Sequence, residues 1–431
     1  MSSRGLRRIA AASALALVSA CELVVGIKDR PLAQEPDGSS PLADSTMQGQ
    51  ADAPDDTTRQ GEVSTTTDAP QAPHDASSDA PGVTDGHPAK EAGPCDNALV
   101  PDNPGFDDGT QDLVLQLALR TVDLGIRWGA TADAAPPFPG YNLDGLLSCP
   151  DQPCMTKKPQ TIHCDAGLWC GIDNAALPLF QTFAQLTNGR FNQQSYNDEL
   201  TAGSYGIIFR VRSYNGGAND QSVEFSAFDS NGTLSPDSGS DHPMPQWNGN
   251  DVWTLDYGSV IGGTGVTAYP HEIDINAYVN NHVLVAHVDH PITLYGGPIL
   301  GTLVFQTTGT TITGTITPDS SGSGYHIDDG VIAGRWPTQN IQAGLKATTD
   351  PLVDGAYLCP APGSSYPTIA KIICNGADLT ADPRKQDPGT LCDAISFANG
   401  FTARTAVMGP VTMRASPYTT CPNAGIENCE Y

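Results

Sequence analysis

The strongest constraint on the fold of this chain is a set of two-residue alternations in its centre. In "SYGIIFRVRS", Tyr205, Ile207, Phe209 and Val211 fall on one face, while Arg210 and Arg212 fall on the other. "QSVEFSAFDS" repeats the pattern with Val223, Phe225 and Ala227. Successive side chains of a strand point to opposite faces, so a period of two in β-branched and aromatic residues specifies strands with one buried face. "GTLVFQTTGTTITGTITPD" reads as two further runs about a Gly-Thr turn, and "DDGVIAGRWP" as another strand. Residues 112–125 read as a strand because Leu113, Leu115, Leu117 and Leu119 alternate. Asn, Gly and Asp separate the runs, which favours antiparallel neighbours.

Helical signals are few. Residues 173–186 offer Asp173 as a cap, but Pro178 makes any helix short or late. Residues 387–410 read as a longer helix: Asp387 to cap, Pro388 in the first turn, Leu391, Ile395 and Ala398 near one face, and Gly409-Pro410 to stop it. The expectation is an all-β fold, an antiparallel β-sandwich or jelly roll with few short helices. It is centred on about 200–336, with disulfide-stapled segments at 140–175 and 355–431 packed on its ends.

Eleven cysteines bear on this. Ten of them, Cys95, Cys149, Cys154, Cys164, Cys170, Cys359, Cys374, Cys392, Cys421 and Cys429, lie beyond residue 94. Their even number is that of up to five disulfides in an exported domain, with connectivity open. Cys149, Cys154, Cys164 and Cys170 lack the close C-x2-C pairs of a zinc ribbon, so no metal centre is assigned to them.

The remaining cysteine ends the stretch "MSSRGLRRIAAASALALVSAC". Arg4, Arg7 and Arg8 precede an apolar run, Ile9 to Val18, too short to cross a bilayer, which needs about 20 residues. Val18-Ser19-Ala20-Cys21 resembles a bacterial lipobox. The resemblance implies cleavage before Cys21, a diacylglyceryl thioether on its sulfur, and an acylated new amino terminus, with palmitate-type chains. Several acyl chains hold a protein stably on a membrane. Glu22 rather than Asp follows the cysteine, which by the sorting rule of enteric bacteria implies the outer membrane.

Residues 22–94 contain fourteen acidic and four basic side chains and no aromatic residue, and are rich in Pro, Ala, Ser and Thr. Such a segment buries too little apolar surface to offset chain entropy and is read as a disordered, extended tether. The chain is thus divided into a lipoprotein signal peptide, 1–20; a lipid-anchored acidic tether, 21–94; and a disulfide-containing β-rich extracytoplasmic domain, 95–431. That last part carries 34 acidic and 14 basic side chains, a net charge of −20. Nucleic-acid binding needs the opposite sign and is excluded as a partner class.

"HEIDI", residues 271–275, begins like two active sites. A zinc-protease helix needs a second histidine at position 275, where this chain has Ile. The stretch also resembles the E-x-D-x-E strand of family 16-type glucanases over five residues. That resemblance implies Glu272 as nucleophile and Asp274 as supporting acid. The acid/base position falls on Asn276, whose amide cannot donate the proton a retaining glycosidase requires. The expectation is therefore a hairpin strand with Glu272 and Asp274 on its solvent side, Asn280-Asn281 as the turn and "HVLVAHV" returning. There is no G-x-S-x-G elbow, P-loop, dinucleotide fingerprint or EF-hand loop. His282, His287 and His290 are read as surface histidines, and Trp247 and Trp253 as core rather than sugar platforms. Calcium is the one cofactor kept open, between loops bearing Asp144, Asp173 and Asp220. Each of these suits a turn or cap equally well.

"NLDGLLSC", "CGIDNAALPLF", "VRSYNGG", "GVIAGRW" and "CDAISFANGFTA" together resemble uncharacterised, cysteine-containing lipoproteins of the myxobacterial type. The resemblance implies no activity and carries over no catalytic residue. The expected role is a non-catalytic surface binding module in the cell envelope, for polysaccharide or another envelope protein. The alternatives are an envelope glycan hydrolase and a structural envelope component.

Overall fold

A computed structural model describes residues 98–125, 139–146, 154–156, 171–186, 193–234, 242–288, 292–295, 304–320, 322, 324–346, 350, 358–360, 363–413, 421 and 429. The segments expected to be signal peptide and tether, with Cys21, Cys95, Cys149, Cys164, Cys170 and His290, lie outside them. Within the described residues the chain is mostly β, with four short helices, as its alternating pattern requires.

Eight strands carry the fold: β1 (Leu113–Asp123), β2 (Gly206–Tyr214), β3 (Asp220–Ser230), β4 (Glu272–Asn280), β5 (Val283–Val288), β6 (Val304–Thr315), β7 (Tyr325–Pro337) and β8 (Ala394–Thr405). Each pairs antiparallel with the next in sequence, and β8 pairs antiparallel with β1. The sheet therefore closes into an up-and-down barrel. The ladder does not divide into the two facing sheets that a sandwich or jelly roll needs, so the antiparallel β expectation holds and its finer form does not.

An eight-stranded barrel is just wide enough for side chains to fill, and this one is filled. Leu115, Leu117 and Leu119 from β1, Ile207, Phe209 and Val211 from β2, and Val223, Phe225 and Ala227 from β3 share one core with residues of the other strands. These are the faces that the alternation marks. Phe209 lies 5.4 Å from Phe225 and 5.4 Å from Phe401, ring centre to ring centre. Gly330 makes room for Phe401: a Cβ there would stand 2.3 Å from the ring.

The connections are unequal. Those between β2 and β3, β4 and β5, and β6 and β7 occupy residues 215–219, 281–282 and 316–324. Those at the opposite end occupy 124–205, 231–271, 289–303 and 338–393. The four helices, α1 (Ala176–Leu186), α2 (Gln193–Ala202), α3 (Thr338–Leu345) and α4 (Tyr366–Asn375), belong to these long connections. Phe180, Leu200, Ile341 and Ile369 extend the barrel core into them.

Two outer faces are also covered. Ala118, Ile208 and Phe228 pack beneath Trp253, Leu255, Val260 and Ala268 of the β3–β4 connection. Tyr141 packs on Ala333 of β7 and Ala398 of β8. The outward Arg210 is buried as a result, its guanidinium donating to the carbonyls of Val266 and Ala268 and to Ser226 Oγ. Burial lowers its pKa to about 10.

Several local expectations change. Residues 394–405 are the strand β8, not part of a helix, with Ile395, Phe397, Phe401 and Ala403 turned inward. Residues 304–315 form one strand with a register shift between Thr308 and Thr311, where a Gly-Thr turn was expected; Gly309 sits there at φ +53°. The β4–β5 turn is Asn281-His282, both at positive φ (49° and 68°), the signature of a type I′ hairpin. Helix α1 runs from Ala176 to Leu186 with Pro178 in its first turn, so it neither starts late nor is cut short, and Asp173 Oδ2 is turned to the amides of Leu143 and Asp144. Among the described residues, three disulfides join Cys154 to Cys392, Cys359 to Cys421 and Cys374 to Cys429. The first ties the β1–β2 connection to the residues just before β8; since β8 is itself a barrel strand, 355–431 is not simply a segment packed on the end of the domain, as expected.

Candidate functional site

The stretch 271–275 sits where the long β3–β4 connection enters β4. Its N-terminal half is turned the other way from the expected solvent face. Val223 pairs with Ala277, but Phe225 pairs with Asp274, so β4 holds one residue more than β3 over this interval. A bulge of one residue reverses which side chains face inward. Ala277 and Val279 join the core, Ile275 is 65 % exposed, and Glu272 and Asp274 stand on the side of their partners Ala227 and Phe225.

The two carboxylates then differ. Asp274 is buried and accepts from the amides of Asn276 (2.8 Å) and His287 (2.6 Å), so it bridges β4 and β5 where direct pairing has stopped. It is a backbone ligand. Glu272 has no such partner: its Oε2 is buried without a hydrogen bond among the described residues. Burial pushes its pKa up to about 7. A group poised there can donate or accept a proton at neutral pH. Asn276 is exposed, which leaves the resemblance to the three-acid strand without its third carboxyl.

The other acids serve the backbone. Asp173 Oδ2 accepts from the amides of Leu143 and Asp144 at 2.7 and 3.2 Å, and Asp144 Oδ1 from that of Leu146 at 2.7 Å. Asp220 accepts from the amides of Asn215 and Ser222 at 2.7 and 3.1 Å. Asp144 and Asp173 are brought together, and Asp220 lies elsewhere, at the start of β3. No group of three or more His, Cys, Asp or Glu side chains among the described residues is arranged to hold a metal ion. His282 lies in the hairpin turn, and His287 Nδ1 is 3.1 Å from Thr311 Oγ1. Trp253 is fully buried, with Trp247 packed against it at 5.5 Å between rings.

Two further features were not marked by sequence. The first is a short flap, residues 257–270, which leaves Tyr257 (61 %), Ile261 (64 %) and Tyr269 (61 %) exposed. Its backbone is fixed while those side chains are not covered: Val260 and Ala268 plug the outer core, and Arg210 holds two of its carbonyls. No periodicity marks the flap, because its residues alternate in neither helix nor strand phase for long.

The second is a space under α2, bounded by Leu119, Val122, Leu200, Ile207, Phe397 and Asn399. Asn399 is 1 % exposed and its Oδ1 has no hydrogen-bond partner among the described residues. The alternation Ile395, Phe397, Asn399, Phe401 would have placed it inward had residues 394–405 been read as a strand. No protein-family model, curated protein or solved structure matches the chain.

Proposed function

We propose that this is a lipid-anchored cell-envelope protein whose folded domain is a non-catalytic surface binding module, facing polysaccharide or another envelope protein. The observation that carries the reading is the flap. Large apolar side chains left exposed on one short, fixed segment offer a contact surface, and tyrosine supplies contact area at low entropic cost. Tyr257, Ile261 and Tyr269 meet that description. The net charge of −20 over 95–431 favours a neutral or basic partner. The lipobox at Cys21 and the acidic tether support placement at an outer membrane, held off its surface.

The test is retention of the full chain, made in an oxidising compartment, on insoluble polysaccharides and on envelope fractions, with and without calcium. Retention that falls at least tenfold in Tyr257→Ala/Tyr269→Ala supports the reading. Retention unchanged by that pair removes the flap from it.

Glu272 favours one second reading, hydrolysis of an envelope glycan with this carboxyl as proton donor. Release of soluble sugar in the same tubes, abolished by Glu272→Gln, would replace binding with catalysis. Neither retention nor release would leave a structural component of the envelope.

A further inference from the structure

The space beneath α2 is independent of the flap and goes beyond the surface reading. Its walls are the inward faces of β8, β1 and β2 where the barrel opens toward the long connections, and α2 forms its roof. Beyond the last β8–β1 pair, Gly400 with Asp123, β1 leaves the ladder. The helix takes over there: Asn197 accepts from the amide of Val122 at 2.7 Å and donates to its carbonyl at 3.0 Å, and Gln193 Oε1 accepts from the amide of Leu124 at 3.2 Å. Of the helix's side chains, Tyr196 and Leu200 point into the core; most of the rest of "QQSYNDELTA" is polar. Gly203, at φ +72°, follows its last turn.

What remains under this roof is about 20 Å³. By the same measure roughly 10–15 Å³ holds one water, so one or two water-sized groups fit with the helix in place. Water is a poor occupant, since a buried water is held by about three polar partners. The lining is apolar apart from the edges of two tyrosines and Asn399, whose Nδ2 is turned to the Gly400 carbonyl at 3.3 Å while Oδ1 is unpaired. A buried acceptor left unpaired is costly and marks a place where a donor belongs. An apolar pocket with one convergent polar atom is the usual form of a small-molecule site.

We propose that this space binds the end of a slender, mostly apolar molecule that carries one hydroxyl, with the hydroxyl donating to Asn399 Oδ1 and the carbon chain lying against Leu119, Leu200 and Ile207. A longer chain is admitted by outward movement of α2, whose ties to β1 are hydrogen bonds that water can replace.

The full chain, with the methyl groups of Leu and Ile and the side-chain amides of Asn labelled, is titrated with methanol, whose two heavy atoms fit the space with the helix in place, and separately with chloromethane, which is close to it in shape but has no donor. The expected result is saturable shifts at the Asn399 amide and the Leu200 and Ile207 methyls. Affinity for the alcohol should be at least about tenfold higher, because a site built around a hydrogen bond rejects the analogue that lacks it. Asn399→Leu should erase the difference between the two probes, and Leu200→Trp should abolish both sets of shifts by filling the space. Equal response to both probes, no saturable response, or a water-to-Asn399 cross-peak that persists unchanged through the titration would overturn the proposal.

Discussion

Replacing Glu272 with Gln keeps the side chain's size and removes its ability to ionise, so it isolates the effect of burying this carboxyl. Burial raises its pKa from 4.5 to about 7. A carboxylic acid whose folded pKa lies above its unfolded value binds its proton more tightly when folded, so it withdraws stability as pH rises. Its contribution is neutral below about pH 4.5 and declines through the window from 4.5 to about 7. Above 7 the loss is complete. At 1.36 kcal/mol per pKa unit the full shift amounts to about 3 kcal/mol. The residue is part-exposed, so solvent screening reduces this to about 1–2 kcal/mol. Glu272→Gln should therefore match the parent at pH 4 and exceed it by about 1–2 kcal/mol at pH 8. Urea unfolding of both proteins at half-unit pH steps, disulfides intact, measures the difference directly. Asp378 is also raised to about 7 by burial, but it is common to both proteins and cancels. A difference that is the same at pH 4 and pH 8 would refute the reasoning, since it would come from packing and not from ionisation.

Arg335 is buried and donates to the carbonyls of Thr380 and Leu143 and to Gln386 Oε1. Arg335→Leu should cost about 3 kcal/mol in denaturant unfolding by leaving those acceptors unpaired. Gly330→Ala should cost about 1–3 kcal/mol because its Cβ meets the Phe401 ring, and Phe401→Leu should recover part of that loss in the double variant. Cys154→Ser/Cys392→Ser opens the bridge between the β1–β2 connection and the residues just before β8 and should lower stability by about 2–5 kcal/mol, read as a fall in Tm. His282→Gly relieves a left-handed φ of 68° in the β4–β5 turn and should add about 1 kcal/mol, read as a rise in the urea midpoint.

The legible part of the fold is the part where one face is apolar and the other polar. β2 and β3 show this, and their inward residues are those the alternation names. β8 hides it. Ala394 to Asn399 are buried on both faces, since Tyr141 covers Ala398 from outside while Phe397 faces the core. With no polar side to set a period, small residues between Asp387-Pro388 and Gly409-Pro410 imitate a capped helix. Closure of the ring is carried by pairs distant in sequence, such as Leu117 with Thr405, and no local pattern encodes it. The misplacement of Glu272 and Asp274 has a narrower cause. Ile273, Ile275, Ala277 and Val279 keep perfect phase in sequence, and one extra residue in the ladder breaks that phase in space.

That bulge lies at the end of the barrel where Glu272 and Asn399 both stand. Between the short turns and the middle of the barrel, the strands point mainly Phe, Leu, Ile, Val and Ala inward, and the buried carboxyl at that end, Asp220, is taken up by the amides of Asn215 and Ser222. Toward the long connections the strands lose their neighbours: β4 parts from β5 beyond Tyr278, and β8 runs past the end of β1. Asp274 fills the first gap by bonding to the His287 amide, and Asn197 and Gln193 of α2 fill the second. Glu272 and Asn399 stand beside these two repairs, each with one buried oxygen unpaired. Such atoms cost stability in a finished core, and the rest of this barrel shows that the chain can supply apolar residues where only packing is required. The short-turn end therefore reads as scaffold, and the end that carries Glu272 and Asn399 as the part shaped by what it meets.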